Sequence, residues 1–226
     1  SSEEKLYTEK IIFLPKIWNC HSGFDLEIKK YPTPFNNNKY ITFGSFNNFN
    51  KINLNVVEVW SKILKNVKNS KLILKSSRTI NIDKLKELFK KNDVLESVSF
   101  LERNLSFEEH LRLYQKIDIG LDTFPYNGVT TSFEAIWMNV PILTMKGFNF
   151  NSRCGESINK NIGINYLIAK DEREYIDKAI ELSKDVEKLT RIRNKIFNEV
   201  APSSLFDKKK FSLEFFKSLE TAYNQL

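Results

Sequence analysis

Short apolar runs alternate along this chain with longer stretches in which apolar residues recur every three or four positions. Tyr40 to Phe46 reads as a first strand. Ile52, Val56, Val59, Trp60, Ile63 and Val67 then follow at helical spacing and define one apolar face. Leu72-Ile73-Leu74, within Lys71 to Lys75, predicts a second strand; Ile82, Leu85, Leu88 and Phe89 a second helix; Val98 to Leu101 a third strand. Ser106 with Glu109 three residues on is a capping-box pattern, and predicts a helix carrying Leu111, Tyr114 and Ile117. Ile142 to Met145 and Tyr166 to Ala169 are further strands. Ser152 to Ile162 is a short helix between them, and Asp171 caps a helix with Tyr175, Ile176, Ala179 and Ile180. Val186 to Val200 continues helical, and Phe211, Phe215, Leu219 and Tyr223 form an apolar stripe on a last helix. This alternation predicts an α/β fold: a Rossmann-like parallel sheet with helices on both faces. Residues 1–38, punctuated by prolines and dotted with aromatics, read as an arm packing on the domain. Residues 39–200 form the Rossmann-like domain, and 201–226 a C-terminal helix packing back on it.

The stretch Asp118 to Pro141, DIGLDTFPYNGVTTSFEAIWMNVP, organises the rest. Ile117, Ile119 and Leu121 fit a buried parallel strand with Asp118 inside it. The strand stops at Phe124-Pro125-Tyr126, and Asn127-Gly128 is a turn signal. Thr130, Thr131 and Ser132 precede a helical run from Phe133 to Met138, placed to cap its free N–H groups. Gly128 would let a ligand approach the backbone, and the helix N-terminus favours an anion. Strand, turn, helix and strand make one βαβ unit with a phosphate-ready loop.

Composition narrows the function classes. The 226 residues are 41% hydrophobic and 28% charged, as in a globular protein. No apolar run approaches the roughly 20 residues of a membrane-spanning helix, and Ser1 to Lys10 is polar, so no membrane partner and a cytoplasmic setting are expected. Two cysteines make neither a disulfide framework nor a zinc site, and two histidines build no multi-histidine metal centre. The net charge of +7 comes with abundant lysine, asparagine, isoleucine and phenylalanine, a chain-wide bias rather than a nucleic-acid patch.

Three segments carry a family resemblance. LDTFPYNGVTTSFEAIWMNVPILT (121–144), FGSFNNFNKI (43–52) and SSLFD (203–207) resemble, in order and spacing, the donor-binding half of O-GlcNAc transferase and SPINDLY-type glycosyltransferases. The resemblance covers nearly the whole chain, but only the C-terminal half of a family catalytic region. It implies the C-terminal domain of a GT-B glycosyltransferase and assigns residues one by one. The essential donor-binding lysine falls on Lys51, the candidate catalytic residue, at the start of a helix where an ammonium offsets charge on a diphosphate leaving group. Asn48 falls where animal enzymes carry a phosphate-contacting glutamine. Thr130 and Thr131 match two diphosphate-holding threonines. Glu134, one turn further on, falls where the animal enzymes have an aspartate and could accept from both ribose hydroxyls. His110, in Phe107-Glu108-Glu109-His110, lies beside the nucleotide, and the backbone of Leu105 meets the base.

Two departures matter: Phe107 stands for a lysine and Val129 for a histidine, at positions that touch the nucleotide or donor. Phe124-Pro125-Tyr126 and Glu134 look more like bacterial and SPINDLY-type members. The resemblance implies inverting, metal-free transfer, UDP-GlcNAc as donor and no cofactor. It also implies a protein acceptor engaged through N-terminal regions, with helical repeats, that are not in this chain. The alternatives are a non-catalytic binding module of GT-B ancestry, or a GT-B enzyme using GDP-fucose or a non-protein acceptor.

Overall fold

The computed structural model of the protein describes residues 4–75, 82–101 and 106–224. Among these, six strands form one parallel sheet: β1 (Thr42–Ser45), β2 (Lys71–Leu74), β3 (Val98–Phe100), β4 (Ile119–Leu121), β5 (Ile142–Met145) and β6 (Ile168–Ala169). Their spatial order is β3-β2-β1-β4-β5-β6. The helices are α1 (Phe35–Asn38), α2 (Leu54–Asn66), α3 (Ile82–Lys91), α4 (Phe107–Arg112), α5 (Thr130–Trp137), α6 (Cys154–Asn161), α7 (Glu172–Lys184), α8 (Val186–Val200) and α9 (Lys208–Tyr223). No helix among the described residues is long and apolar enough to cross a membrane.

Both faces of the sheet are covered, as strand alternation requires. Leu72 and Leu74 belong to one core cluster, whereas Ile73 packs against the other; Leu143 and Ile142 divide in the same way. The larger cluster contains the predicted apolar face of α2: Val56, Val59, Trp60 and Ile63 are fully buried. Each such side chain contributes roughly 1.5–3 kcal/mol relative to exposure. Asn53 starts α2 by accepting the Val56 N–H.

Several boundaries differ from the apolar pattern. The helix opened by the Ser106–Glu109 capping box ends at Arg112 and tightens into a 3-10 turn, Leu113–Lys116. Ile117 is already extended, so it belongs to the approach to β4 rather than to the helix. The run from Tyr166 yields only Ile168–Ala169 as strand, because Asn165–Leu167 is a 3-10 turn. The predicted continuation past Lys184 is a separate helix, since Asp185 caps α8 by accepting the Lys188 N–H. Asp118 has a structural role: its carboxylate accepts N–H groups of Phe35 and Thr42 at 2.9 and 2.8 Å, tying α1 to the start of β1.

The arm packs against α5 and the segment that precedes α9. Ile17 is buried, the His21 N–H donates to the Leu205 carbonyl at 2.9 Å, and the Trp137 indole donates to the Leu26 carbonyl at 2.8 Å. The stripe on α9 is anchored only at its first turn. Phe211 packs against the core, whereas Phe215, Leu219 and Tyr223 are 39%, 44% and 77% exposed. Phe215 and Leu219 face a groove against the arm rather than a closed interior.

Gly44 in β1 is a packing requirement. A Cβ there would overlap the buried Ile117 side chain. Gly44→Ala is expected to lower the unfolding free energy by about 1–3 kcal/mol, read by urea denaturation. An unchanged midpoint would show that Ile117 can turn aside without cost.

Candidate functional site

β1 and β4 are neighbours whose onward connections lead to opposite sides of the sheet. Their carboxyl ends therefore border the crevice in which open α/β sheets bind ligands. The loop after β4 is shaped by one carboxylate. Asp122 is buried, and its Oδ1 accepts from the N–H groups of Gly128 at 2.6 Å and Thr123 at 2.9 Å. Asn47 Nδ2, from the β1 loop, donates to the same oxygen at 3.4 Å, and the Thr144 hydroxyl of β5 donates to Oδ2 at 2.8 Å. Burial pushes the Asp122 carboxyl up to about 6, against the lowering effects of the Gly128 N–H, the Thr144 hydroxyl, the Lys51 charge and the Thr123 N–H.

The two loops are knitted at further points. Asn53 Nδ2 donates to the Phe124 carbonyl at 3.0 Å. The half-buried Lys51 donates from Nζ to the Asn127 carbonyl at 2.8 Å, with its ammonium 3.9 Å from the centre of the Tyr126 ring. Burial lowers its pKa, opposed by the charge of Asp122. Asn127 is itself fixed, donating to the Thr123 carbonyl at 2.9 Å and accepting the Gly155 N–H at 3.2 Å. Asn48 caps the 3-10 turn Phe49–Lys51, its side chain accepting the Asn50 N–H at 3.0 Å. It shapes the turn that carries Lys51.

The start of α5 differs from the expected hydroxyl cap. Thr130 and Thr131 are the first two residues of the helix, and the N-cap is Val129, which makes no side-chain cap. The Thr131 hydroxyl is drawn sideways, donating to Asn47 Oδ1 at 2.9 Å. Thr130 is exposed at the mouth of a cleft of about 570 Å³ that it borders with Glu134, Phe107 and the arm from His21 to Phe24. Val129 packs against the core. Gly128 is buried, and a Cβ there would lie 2.7–2.8 Å from Thr131, Asn47 and Ser132 oxygens. The absent side chain makes room for these protein atoms.

Along α5, Glu134 is buried at 5% exposure and its Oε2 meets His110 Nε2 at 3.0 Å. The Tyr114 hydroxyl donates to the same oxygen at 2.8 Å, and Lys75 Nζ lies 3.0 Å from His110 Nδ1. Oε2 is thus already engaged, which leaves Oε1 as the carboxylate oxygen with no protein partner among the described residues. Leu105 lies outside the described residues.

The crevice can be compared with known proteins. The description "Glycosyl transferase family 41" matches residues 29–215. The chain belongs to that family. Among curated relatives, the probable UDP-N-acetylglucosamine–peptide N-acetylglucosaminyltransferase SPINDLY of Eustoma exaltatum subsp. russellianum is 36% identical over 97% of this chain. The protein of the same name in Arabidopsis thaliana is 34% identical over 96%. The family-41 chain spans 24% of the length of each of these relatives. Among solved structures, an O-GlcNAc transferase mutant of Thermobaculum terrenum is 29% identical with a TM-score of 0.85, over 100% of this chain and 42% of that one. The C-terminal domain of a glycosyl transferase group 1 protein from Francisella tularensis, 16% identical with a TM-score of 0.55 over 76% of this chain and 94% of that one, shares the fold. The fold is that of GT-B glycosyltransferase C-terminal domains.

The sequence-predicted residues of this family-41 chain fall in two groups. Lys51, Asn48, Gly128, Val129 and Thr131 gather around the two knitted loops. His110 and Glu134 touch each other at the cleft beside Thr130. Sequence reading missed Asn47, Asp122, Asn127, Lys75 and Tyr114. Asn47 was visible as a polar residue just past a strand and Asn127 as part of a turn, but their burial is a tertiary fact. Lys75 was legible only as the end of the second strand.

Asp122 carries a pH signature. Its native carboxyl titrates near 6, above the ordinary aspartate value of about 4. Between these values the folded state binds more protons than the unfolded one, so its contribution to stability falls as pH rises through the window. The stability difference between wild type and Asp122→Asn is expected to shrink, or turn further against wild type, from about pH 4 to about pH 6. It should be flat above, in denaturant titrations at stepped pH. A difference independent of pH would show that Asp122 titrates normally.

Proposed function

We propose that this chain is the donor-binding half of a protein O-glycosyltransferase. In this reading it takes UDP-GlcNAc, and the complete enzyme passes the sugar with inversion to a serine or threonine hydroxyl, without a metal. The observation that carries the reading is the position of Lys51, whose ammonium rests on the Asn127 carbonyl in the loop leading directly into the uncapped N-terminus of α5. Half-buried cation and helix terminus together suit a diphosphate. The acceptor oxygen attacks the anomeric carbon as the bond to the diphosphate breaks. Lys51 exchanges its carbonyl partner for the leaving oxygens and stabilises the charge that develops there. Glu134, beside the first turn of α5, accepts from a ribose hydroxyl.

Lys51→Ala is expected to weaken UDP binding by about 1–3 kcal/mol, the range for losing a charged hydrogen bond, read by calorimetry. Unchanged affinity would remove Lys51 from the site. For the base, the proposal is uracil. A thermal-shift panel of UDP, GDP, UDP-GlcNAc and GDP-fucose should show stabilisation by the uridine ligands, and stabilisation by the guanosine ligands alone would overturn that choice.

The chain by itself is expected not to transfer sugar. It corresponds to 42% of the Thermobaculum chain it resembles, and positioning an acceptor in a closed, dry site supplies much of such a rate. Incubation with labelled UDP-GlcNAc and a serine-rich peptide tests this. Turnover abolished by Lys51→Ala would show that the preceding half is dispensable.

A further inference from the structure

We propose that Lys75 and Tyr114 are positioning residues that hold Glu134 with one carboxylate oxygen tied to the protein and the other reserved for a ligand hydroxyl. Lys75 ends the β2 side of the crevice, its N–H donating to the Ser45 carbonyl at 3.2 Å, and its side chain is buried at 7% exposure. An ammonium has three donors and no acceptor. His110 Nδ1, 3.0 Å from Lys75 Nζ, is therefore the acceptor of that bond, and the ring proton sits on Nε2. Nε2–H then donates to Glu134 Oε2 at 3.0 Å, alongside the Tyr114 hydroxyl at 2.8 Å. The rings of Phe46, Phe107 and Tyr114, 5.7–6.1 Å from the imidazole centre, box it in this orientation.

The consequence is directional. Two donors occupy Oε2, and Oε1 is the acceptor left at the cleft that Glu134 borders. Glu134 thus recognises a hydroxyl at a single oxygen, and Lys75, without touching the ligand, decides which oxygen that is. As applied to a ribose, the inference rests on the nucleotide-sugar reading above; as a statement about the ring proton of His110 it does not.

Two measurements separate these. In the ligand-free protein, nitrogen NMR of the two histidine rings, with His21 assigned through His21→Gln, should show His110 as the Nε2–H tautomer. Lys75→Met should abolish that signature and Lys75→Arg should keep it. A Nδ1–H ring in the wild type, or an unchanged ring in Lys75→Met, overturns the proposal whether or not a nucleotide binds. In calorimetry, UDP should bind about tenfold more tightly than 2′-deoxy-UDP or 3′-deoxy-UDP, and Lys75→Met should reduce that ratio to within about twofold. Tyr114→Phe, which removes only a hydroxyl, should do the same if Lys75→Met does not fold. A ratio unchanged in both variants sinks the positioning role; no binding of UDP by wild type, with the tautomer as stated, sinks the nucleotide reading instead.

Discussion

The buried carboxylate of Asp122 is the contact on which the crevice depends. Its donors come from three directions: its own loop through Thr123 and Gly128, the β1 loop through Asn47, and β5 through Thr144. An unpaired charge in this place would be strongly unfavourable, and removing one partner leaves a desolvated group behind. The loop must therefore close around the carboxylate, and closing it sets everything downstream. It seats the Asn127 carbonyl under Lys51, presses Gly128 against Thr131, and delivers the chain to α5 with its first turn uncapped.

Two unfavourable local features follow. The first N–H groups of α5 have no side-chain cap, a stabilising contact that helices usually take. Lys51 is partly desolvated beside a carbonyl and an aromatic face, which lowers its pKa. Both are local violations of the kind that concentrate at functional sites, and both suit the diphosphate proposed above. On the other side of α5 the logic reverses. Glu134, His110, Lys75 and Tyr114 satisfy one another, so this side of the cleft is organised by contacts within the protein.

The outer surface is less finished than the crevice floor. Leu213, Phe216 and Tyr223 on α9 are 73%, 66% and 77% exposed, and Phe13 of the arm is 68% exposed. Phe13 lines a groove with Phe215 and Leu219, whereas Leu213, Phe216 and Tyr223 are not part of its lining.

The order of strands and helices was legible in the chain because each element declares itself locally. Short apolar runs marked β1, β2 and β5, helical spacing marked α2, and Ser106 and Asp171 marked the starts of their helices with side chains three residues from their targets. Lys51 and His110 were found only through motif resemblance, and Glu134 through that resemblance and the apolar residues Phe133, Ala135, Ile136 and Trp137 around it. What tertiary structure alone decided is how these groups are used. Asn47 rather than Asn48 bridges the loops, Thr131 turns inward, Gly128 makes room for protein atoms, and Lys75, distant in sequence, reaches His110. Sequence encodes the period and the caps because they act over three or four residues. The partners of a buried polar group are set by which strand ends the parallel sheet brings side by side, and β1 and β4 become neighbours only once the chain has folded.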